Sequence, residues 1–462
     1  MNEKHFDAAD VLSRLPAENR EELLPGIRKE FFASAKTLVV LDDDPTGTQT
    51  CYDVVVLTDW NVSLLVQELK KKPPIIFILT NSRSVSPEKA IAMARDIGNN
   101  LIAATNESGR EIVVISRSDS TLRGHFPHEV DAIAEALSLT DAVRVLIPAF
   151  IEGGRLTIDD VHYIHENDKL IPVAETPFAA DKVFGYAHSN LKAWVEEKTA
   201  GKVRAHEVVS ISLDDIRLSG ADAVAHRLLS CGPGQICVIN ACSHKDLEVV
   251  VMALLKAESA GQRFIYRTSA TFVPLRAGLP AGKMYLPDVK ETRSANGALV
   301  IVGSYVPKTT RQLQRLLDEI EVHSIEVDVP TVLRSDHPES YASQIIIDME
   351  QKLRDGGDVV VHTSRQLQTA SDVEGNLRIN HSVSLFLVNV LSRLSVRPAF
   401  IIAKGGITSS DLATRALSTR KALILGQVIP GVPVWKLDDS SRFPGMIYVV
   451  FPGNVGDDDA LT

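Results

Sequence analysis

Residues 38–50 read LVVLDDDPTGTQT, an apolar run that ends in Asp42, Asp43 and Asp44 before Pro45, Thr46 and Gly47. Three successive carboxylates repel one another, so a rigid turn of this kind needs a cation, a guanidinium or protons against it. Arg83 in TNSR (80–83) and Arg123 in SRSDSTLRGH (116–125) are the candidate partners. The second stretch also carries Arg117, Asp119 and the hydroxyls of Ser118 and Ser120. Carboxylates accept hydrogen bonds from hydroxyl groups, and arginine grips a carboxylate through two parallel donors. The combination suits a small polyhydroxylated acid, which makes Asp43, Asp44, Arg83, Arg117, Ser118, Asp119, Ser120 and Arg123 the candidate substrate residues.

The second half of the chain offers glycines instead of charge. GSYVPKTTRQ (303–312) places Gly303 and Ser304 between an apolar run and a helical pattern, and KGGITSSD (404–411) does the same with Gly405 and Gly406. A third loop, FPGNVGDDD (451–459), contains Gly453, Asn454, Val455 and Gly456. None fits the dinucleotide fingerprint or the P-loop. Glycines at such positions still let backbone N–H groups approach a phosphate, so phosphate binding is expected at KGGITSSD, a simple tight turn being the alternative. Asp457, Asp458 and Asp459 are expected to cap a terminal helix. No H-E-x-x-H or G-x-S-x-G pattern occurs, and His162, His165 and His362 read as satisfied polar positions. Cys237, Cys242 and His244 match no zinc spacing, so these thiols, with Cys51 and Cys231, are expected to be reduced and structural.

Elements able to position these loops recur along the chain. TLVVLD, PPIIFILT, EIVVIS and VRVLIP are short runs rich in valine and isoleucine, most of them separated by helical patterns. That alternation predicts parallel sheet covered by helices, with ligands beyond the carboxyl ends of the strands. The expected fold is α/β, with two domains, each a mainly parallel or mixed sheet flanked by helices, and an active-site cleft between them. Residues 1–36 read as a helical N-terminal extension broken at Pro25 and Gly26, 37–280 as one domain and 281–462 as the other. The boundary lies in a looser stretch, 267–297, and residues 151–200 read as a β-rich insertion. The chain has 462 residues, 45% of them hydrophobic, and 59 acidic against 49 basic side chains. This net charge of -10 argues against a general nucleic-acid surface. No apolar run is long enough to span a bilayer, and a cytoplasmic protein is expected.

With DDPTG (43–47), NSR (81–83), SRSDSTLRG (116–124), GSYVPKTTRQ, KGGITSSD and PGNVG (452–456) in this order, the chain resembles the four-carbon acid sugar kinase family over residues 37–460. The resemblance implies an N-terminal domain that binds the sugar acid and a C-terminal domain that binds ATP. Members phosphorylate threonate, erythronate or 3-oxo-tetronate. It implies that Asp44 contacts substrate, that Arg83 holds the substrate carboxylate and that residues 117–120 form a second substrate loop. Ser304, Gly405 and Gly406 would contact ATP, and Gly453 to Gly456 would form the last phosphate or ribose loop. Pro45, the GGIT stretch and FPGNVG depart from the commoner family pattern, which leaves the sugar acid unnamed. The expected activity is ATP-dependent phosphorylation of a small sugar acid, with ADP as product and Mg2+ bridging the phosphates through ligands the sequence does not identify. Asp119, ahead of Asp44, is the expected catalytic base. The alternative is a non-catalytic sensor for a sugar acid or nucleotide; a homodimer is allowed, and neither nucleic acid nor membrane is an expected partner.

Overall fold

A computed structural model gives the structure of the protein and describes residues 6–280, 282–286, 295–334, 338–365, 368 and 373–462. The chain forms two compact units, Met1–Asp43 with Asp59–Ala281, and Asp44–Thr58 with Gly282–Thr462. Residues 44–58, expected within 37–280, therefore pack with the second unit. Residues 1–5, 281 and 287–294, on which parts of the expected extension and boundary fall, lie outside the described residues.

The strands up to the boundary are β1 (Phe6–Asp7), β2 (Thr37–Asp42), β3 (Val54–Leu57), β4 (Ile75–Leu79), β5 (Ile112–Arg117), β6 (Val143–Ile147), β7 (Arg155–Ile158), β8 (Val161–Glu166), β9 (Lys169–Pro172), β10 (Val209–Ile211), β11 (Ile236–Ile239) and β12 (Phe264–Thr268). All but β3 belong to the first unit. Its main strands run β10-β11-β6-β12-β5-β2-β4 and pair in parallel. They are continuous apolar runs, Leu38 to Leu41 and Ile75 to Leu79 being buried throughout, as a sheet with both faces covered requires. β2 lies between β4 and β5, which brings the ends Asp42, Leu79 and Arg117 into one register. The chain leaves β2 to pair on both sides, the switch-point geometry at which ligands gather in parallel sheets. The 151–200 region carries a small antiparallel sheet, β1-β9-β8-β7.

Two expectations are corrected here. The N-terminal helix α1 (Ala8–Ser13) is followed by α2 (Leu24–Ala33), which runs through Pro25 and Gly26 without a break. Pro25 stands in the first turn, where the missing N–H costs no intrahelical bond, so it starts the helix instead of stopping it. The extension also contains a strand, β1, paired with β9. Second, the stretch expected to be loose from residue 267 onward still holds the end of β12 and α3 (Phe272–Arg276), whose side chains are buried.

In the second unit the remaining strands are β13 (Leu299–Val302), β14 (His323–Val327), β15 (Val359–Thr363), β16 (Ile401–Lys404), β17 (Lys421–Ile429), β18 (Val432–Leu437) and β19 (Ile447–Phe451). β3, β17, β18 and β19 form an antiparallel ribbon that continues into parallel strands β16, β13, β15 and β14. Segment 44–58 belongs here because β3 pairs with β17 and because Trp435 Nε1 donates to the buried Thr48 Oγ1 at 3.3 Å. The helix α4 (Pro307–Glu319) follows β13. Its Arg311 and Arg315 pair with Asp458 and Asp459 at 3.0 and 2.8 Å, so these acids tie the C-terminal loop to α4. Among the described residues no helix is long and apolar enough to cross a membrane.

Candidate functional site

The acidic turn is not solvated. Asp42 and Asp43 are 0% and 2% exposed, and guanidinium groups from the ends of the flanking strands stand against them. Arg117, the last residue of β5, approaches Asp42 Oδ1 at 3.3 Å and Asp43 Oδ1 at 3.8 Å. Arg83, in the turn after β4, approaches Asp43 Oδ2 at 3.2 Å and Asp119 Oδ1 at 3.7 Å. Asp119 also accepts from Arg123 Nε at 2.9 Å and from Thr121 Oγ1. The structure thus brings together Asp43, Arg83, Arg117, Asp119 and Arg123, all expected from the sequence to bind substrate. Buried charges are tolerated only when matched and hydrogen-bonded, and this alternation of acid and guanidinium supplies the match. Ser118 and Ser120 are buried in the same loop.

The loop is held from outside the main sheet. His162 of β8 points Nε2 at Ser120 O, 2.8 Å away, and Nδ1 at Thr157 Oγ1, 2.9 Å away. A carbonyl can only accept, so Nε2 carries the proton and Nδ1 accepts from the threonine. Tyr186 donates its hydroxyl to Thr121 O at 2.7 Å. Gly124, at φ +121°, allows Asp43 and the loop to approach: a Cβ there would stand 3.4 Å from Asp43 Oδ2.

Two charged residues of this cluster escaped the sequence reading. Arg267 of β12 is 2% exposed; it donates to Arg123 O at 3.0 Å and lies over Phe126 and Trp194, 5.7 and 5.2 Å from the ring centroids. Glu129 is buried in the first turn of α5 (His128–Ala136), a helix in the first unit preceded by α6 (Pro87–Ser108). Burial, then the negative Asp43 nearby, pushes its carboxyl up to about 7, against the pull of Ser82, Arg267 and Arg83. Burial would also raise Asp119, but Arg123, Arg83 and the hydrogen bonds it accepts hold it well below the usual carboxylate range. For His162, burial wins and lowers the imidazole to about 4, so the ring is neutral near neutral pH.

In the second unit a pocket of about 310 Å³ opens at the carboxyl ends of β13, β15 and β16. Ser304, Gly405, Gly406, Gly453 and Asn454 line one part of it, as do Gly303 and Thr408. Tyr305, Val329, Val383, Leu387 and Ile407 give it an apolar wall. Val455 packs instead toward the hydrophobic core beside β18 and β19, and Gly456 sits against Ala460. Hydroxyl side chains pack onto these glycines: a Cβ on Gly303 would stand 2.2 Å from Thr408 Oγ1, and one on Gly453 2.8 Å from Ser304 Oγ, so either would have to shift. Asp44, grouped with this unit, accepts from Thr46 N at 2.8 Å and from the Thr46 hydroxyl. Its Oδ2 lies 3.2 Å from where a Cβ on Gly406 would stand. Among the described residues no three His, Cys, Asp or Glu side chains form a metal cage.

A family model described as a sugar-binding N-terminal domain matches residues 38–275, and one described as a nucleotide-binding C-terminal domain matches 299–461. A D-erythronate kinase of Heliobacterium modesticaldum (strain ATCC 51547 / Ice1) is 26% identical over 304 residues, 64% of this chain and 64% of the relative, so the match spans just under two thirds of that protein's length. Among solved structures, a Haemophilus influenzae protein of family DUF1537 aligns with TM-score 0.62 at 18% identity, covering 91% of this chain and 97% of that one. A Salmonella typhimurium LT2 protein given as a candidate tRNA synthase aligns with TM-score 0.66 at 18% identity, covering 92% and 97%. At such identity these two structures bear on the fold alone.

Two stability measurements follow from the first-unit cluster. Replacing Arg117 by Met leaves Asp42 and Asp43 buried with one guanidinium fewer, so urea unfolding should show a loss of about 3–5 kcal/mol. Adding Asp42→Asn should recover part of it, and full additivity of the two losses would refute the coupling. The second concerns pH. A neutral buried histidine favours the folded state above pH 6.5 and loses that advantage as pH falls toward about 4, whereas Glu129 favours it below pH 4.5 and loses its advantage as pH rises toward about 7. The two slopes oppose each other across the shared window. His162→Gln should therefore make stability fall as pH rises from 4.5 to 6.5, and Glu129→Gln should make it rise; identical pH profiles for wild type and both variants would contradict the assignment.

Proposed function

The chain belongs to the family that joins a sugar-binding N-terminal domain to a nucleotide-binding C-terminal domain, and from that premise we infer ATP-dependent phosphorylation of a hydroxyl on a small sugar acid. The observation that carries the inference is the second-unit pocket, which offers an apolar wall for a planar base and glycine backbone for phosphates. The D-erythronate kinase relative supports the same activity. The arginine–aspartate cluster of the first unit supplies the acceptor side, with carboxylates to take sugar hydroxyls and guanidinium groups to take the acid.

Phosphoryl transfer asks little covalent chemistry of a protein and depends on positioning and charge. Asp119 is proposed to orient the acceptor hydroxyl and receive its proton. Its ion pairs make it a weak base, but they also lock the carboxylate in place, which is what orientation requires. Arg83 is proposed to hold the substrate carboxylate together with Arg117 and Arg123, and Asp43 to accept from a substrate hydroxyl. Ser118 and Ser120 complete the substrate loop, and Ser304, Gly405, Gly406 and the 453–456 loop the nucleotide side. Mg2+ keeps most of its water and takes one or two carboxylates besides the phosphates, so it needs no cage. Asp44, turned toward Gly406, fits that demand, and the bound ion would neutralise charge on the phosphates.

Purified protein with Mg-ATP and four- to six-carbon aldonates should yield ADP and a phosphorylated acid. Nucleotide binding with no turnover on any acid would favour the non-catalytic sensor instead. Asp119→Asn should lower kcat by about 100-fold or more with ATP affinity retained. If only KM moved, Asp119 would be a specificity residue and Asp44 the better base. Arg83→Lys should raise KM for the acid by about 10-fold to about 150-fold, because lysine cannot reproduce the planar fork, with KM for ATP little changed. Equal wild-type activity on the acid and the corresponding neutral polyol would remove the role given to Arg83.

A further inference from the structure

Two lysines stand close in sequence to residues that line the glycine end of the second-unit pocket, and among the described residues neither faces a carboxylate. Lys404, the last residue of β16, immediately precedes Gly405 and is 0% exposed. Its ammonium donates to Pro452 O at 2.8 Å and lies 3.6 Å from the centroid of the Phe451 ring. Lys308 stands in the first turn of α4, where the unpaired N–H groups already make the helix end positive and disfavour a cation. No acid occupies that turn. Among the described residues neither ammonium has a carboxylate oxygen within 4.0 Å. Burial, with Lys308 as the second cause, pushes the Lys404 ammonium down to about 7.

Two other charged groups near this end have contacts of their own. Arg365 donates to Ser304 O at 2.8 Å and to Thr363, while Asp44 is turned toward Gly406. The backbone between the lysines is held in place: Thr309 Oγ1 donates to Gly453 O at 2.9 Å, Gly405 N to Phe451 O at 2.7 Å, and Gln312 Nε2 to Val455 O at 3.0 Å. A fixed glycine-lined site with two unmatched cations beside it is costly to the empty protein and favourable to an incoming polyanion.

We propose that Lys308 and Lys404 are the cations of a polyphosphate subsite that takes the terminal phosphates of the nucleotide, an inference resting on the nucleotide-binding reading above. Titration calorimetry of the full chain with ATP and with adenosine tests it in wild type, Lys308→Met and Lys404→Met. Each substitution should weaken ATP by about 10-fold to about 100-fold, the range for a lost charge-assisted contact, and leave adenosine within about 2-fold. Equal losses for ATP and adenosine would overturn the proposal, since the lysines would then only shape the pocket. Unchanged ATP affinity in Lys308→Met, a substitution outside the buried core, would overturn it even if Lys404→Met failed to fold. A wild type that bound neither ligand would refute the nucleotide reading itself and the subsite with it, whereas ATP binding in wild type with no response to either substitution would refute the subsite alone.

Discussion

Two carboxyl side chains, Asp42 and Asp43, are buried at the end of β2, and the first unit is arranged around making that possible. An isolated buried carboxylate is so costly that it would take up a proton or unfold its surroundings. Here the cost is met from both neighbouring strands, Arg117 closing β5 on one side and Arg83 following β4 on the other. Parallel pairing makes the arrangement reproducible, because register fixes which residues stand side by side where the strands end. Asp119 then extends the alternation, bound to Arg83 and Arg123, and the loop that carries it is secured by His162 and Tyr186. A ligand with both hydroxyls and a carboxylate can insert into such a lattice by exchanging partners, without demanding that any charge be left bare.

The second unit solves a different problem. Its pocket is built by close approach: the hydroxyl side chains of Thr408 and Ser304 pack directly onto Gly303 and Gly453. Backbone donors brought so near can serve a phosphate without reorganising. Positive charge gathers there too: Lys404 is buried against the Pro452 carbonyl and the Phe451 ring, and the first turn of α4 carries no acid. One unit thus hides its charge by pairing acids with guanidinium groups, while the other sets a buried ammonium against a carbonyl and a ring.

Much of this was legible in the sequence, and the omissions have physical reasons. Runs such as LVVL and IIFIL announce buried parallel strands, and polar residues directly after them mark the ligand side, so Asp43, Arg83, Arg117 and Ser304 could be placed without coordinates. Arg267 and Lys404 could have been found by the same logic. Each is a cation inside or ending an apolar strand, FIYRT and IIAK, where a charge has no place unless it serves one. Arg267 was missed because the glycines and prolines beyond residue 277 lent their loose appearance to the strand before them. Glu129 gave no such sign, since an acid in the first turn of a helix is ordinarily a favourable surface charge. Only burial in the tertiary fold, with the charge of Asp43 nearby, makes it unusual. The course of α2 through Pro25 shows the converse error, a breaker residue read without regard to its position in the first turn.

The transfer of residues 44–58 to the second unit also explains the proline after the acids. A residue before proline is pushed out of the helical region, and Asp44 is indeed extended, at φ -152° and ψ 137°. Successive side chains of an extended chain point to opposite sides. Asp43 meets Arg83 and Arg117 in the first unit, while Asp44, grouped with the second, closes its own turn through Thr46 and faces Gly406. Neighbouring like charges are separated by backbone geometry that Pro45 enforces. Pro45 thus favours a backbone in which the arginine–aspartate cluster and the glycine turn each have a carboxylate of their own.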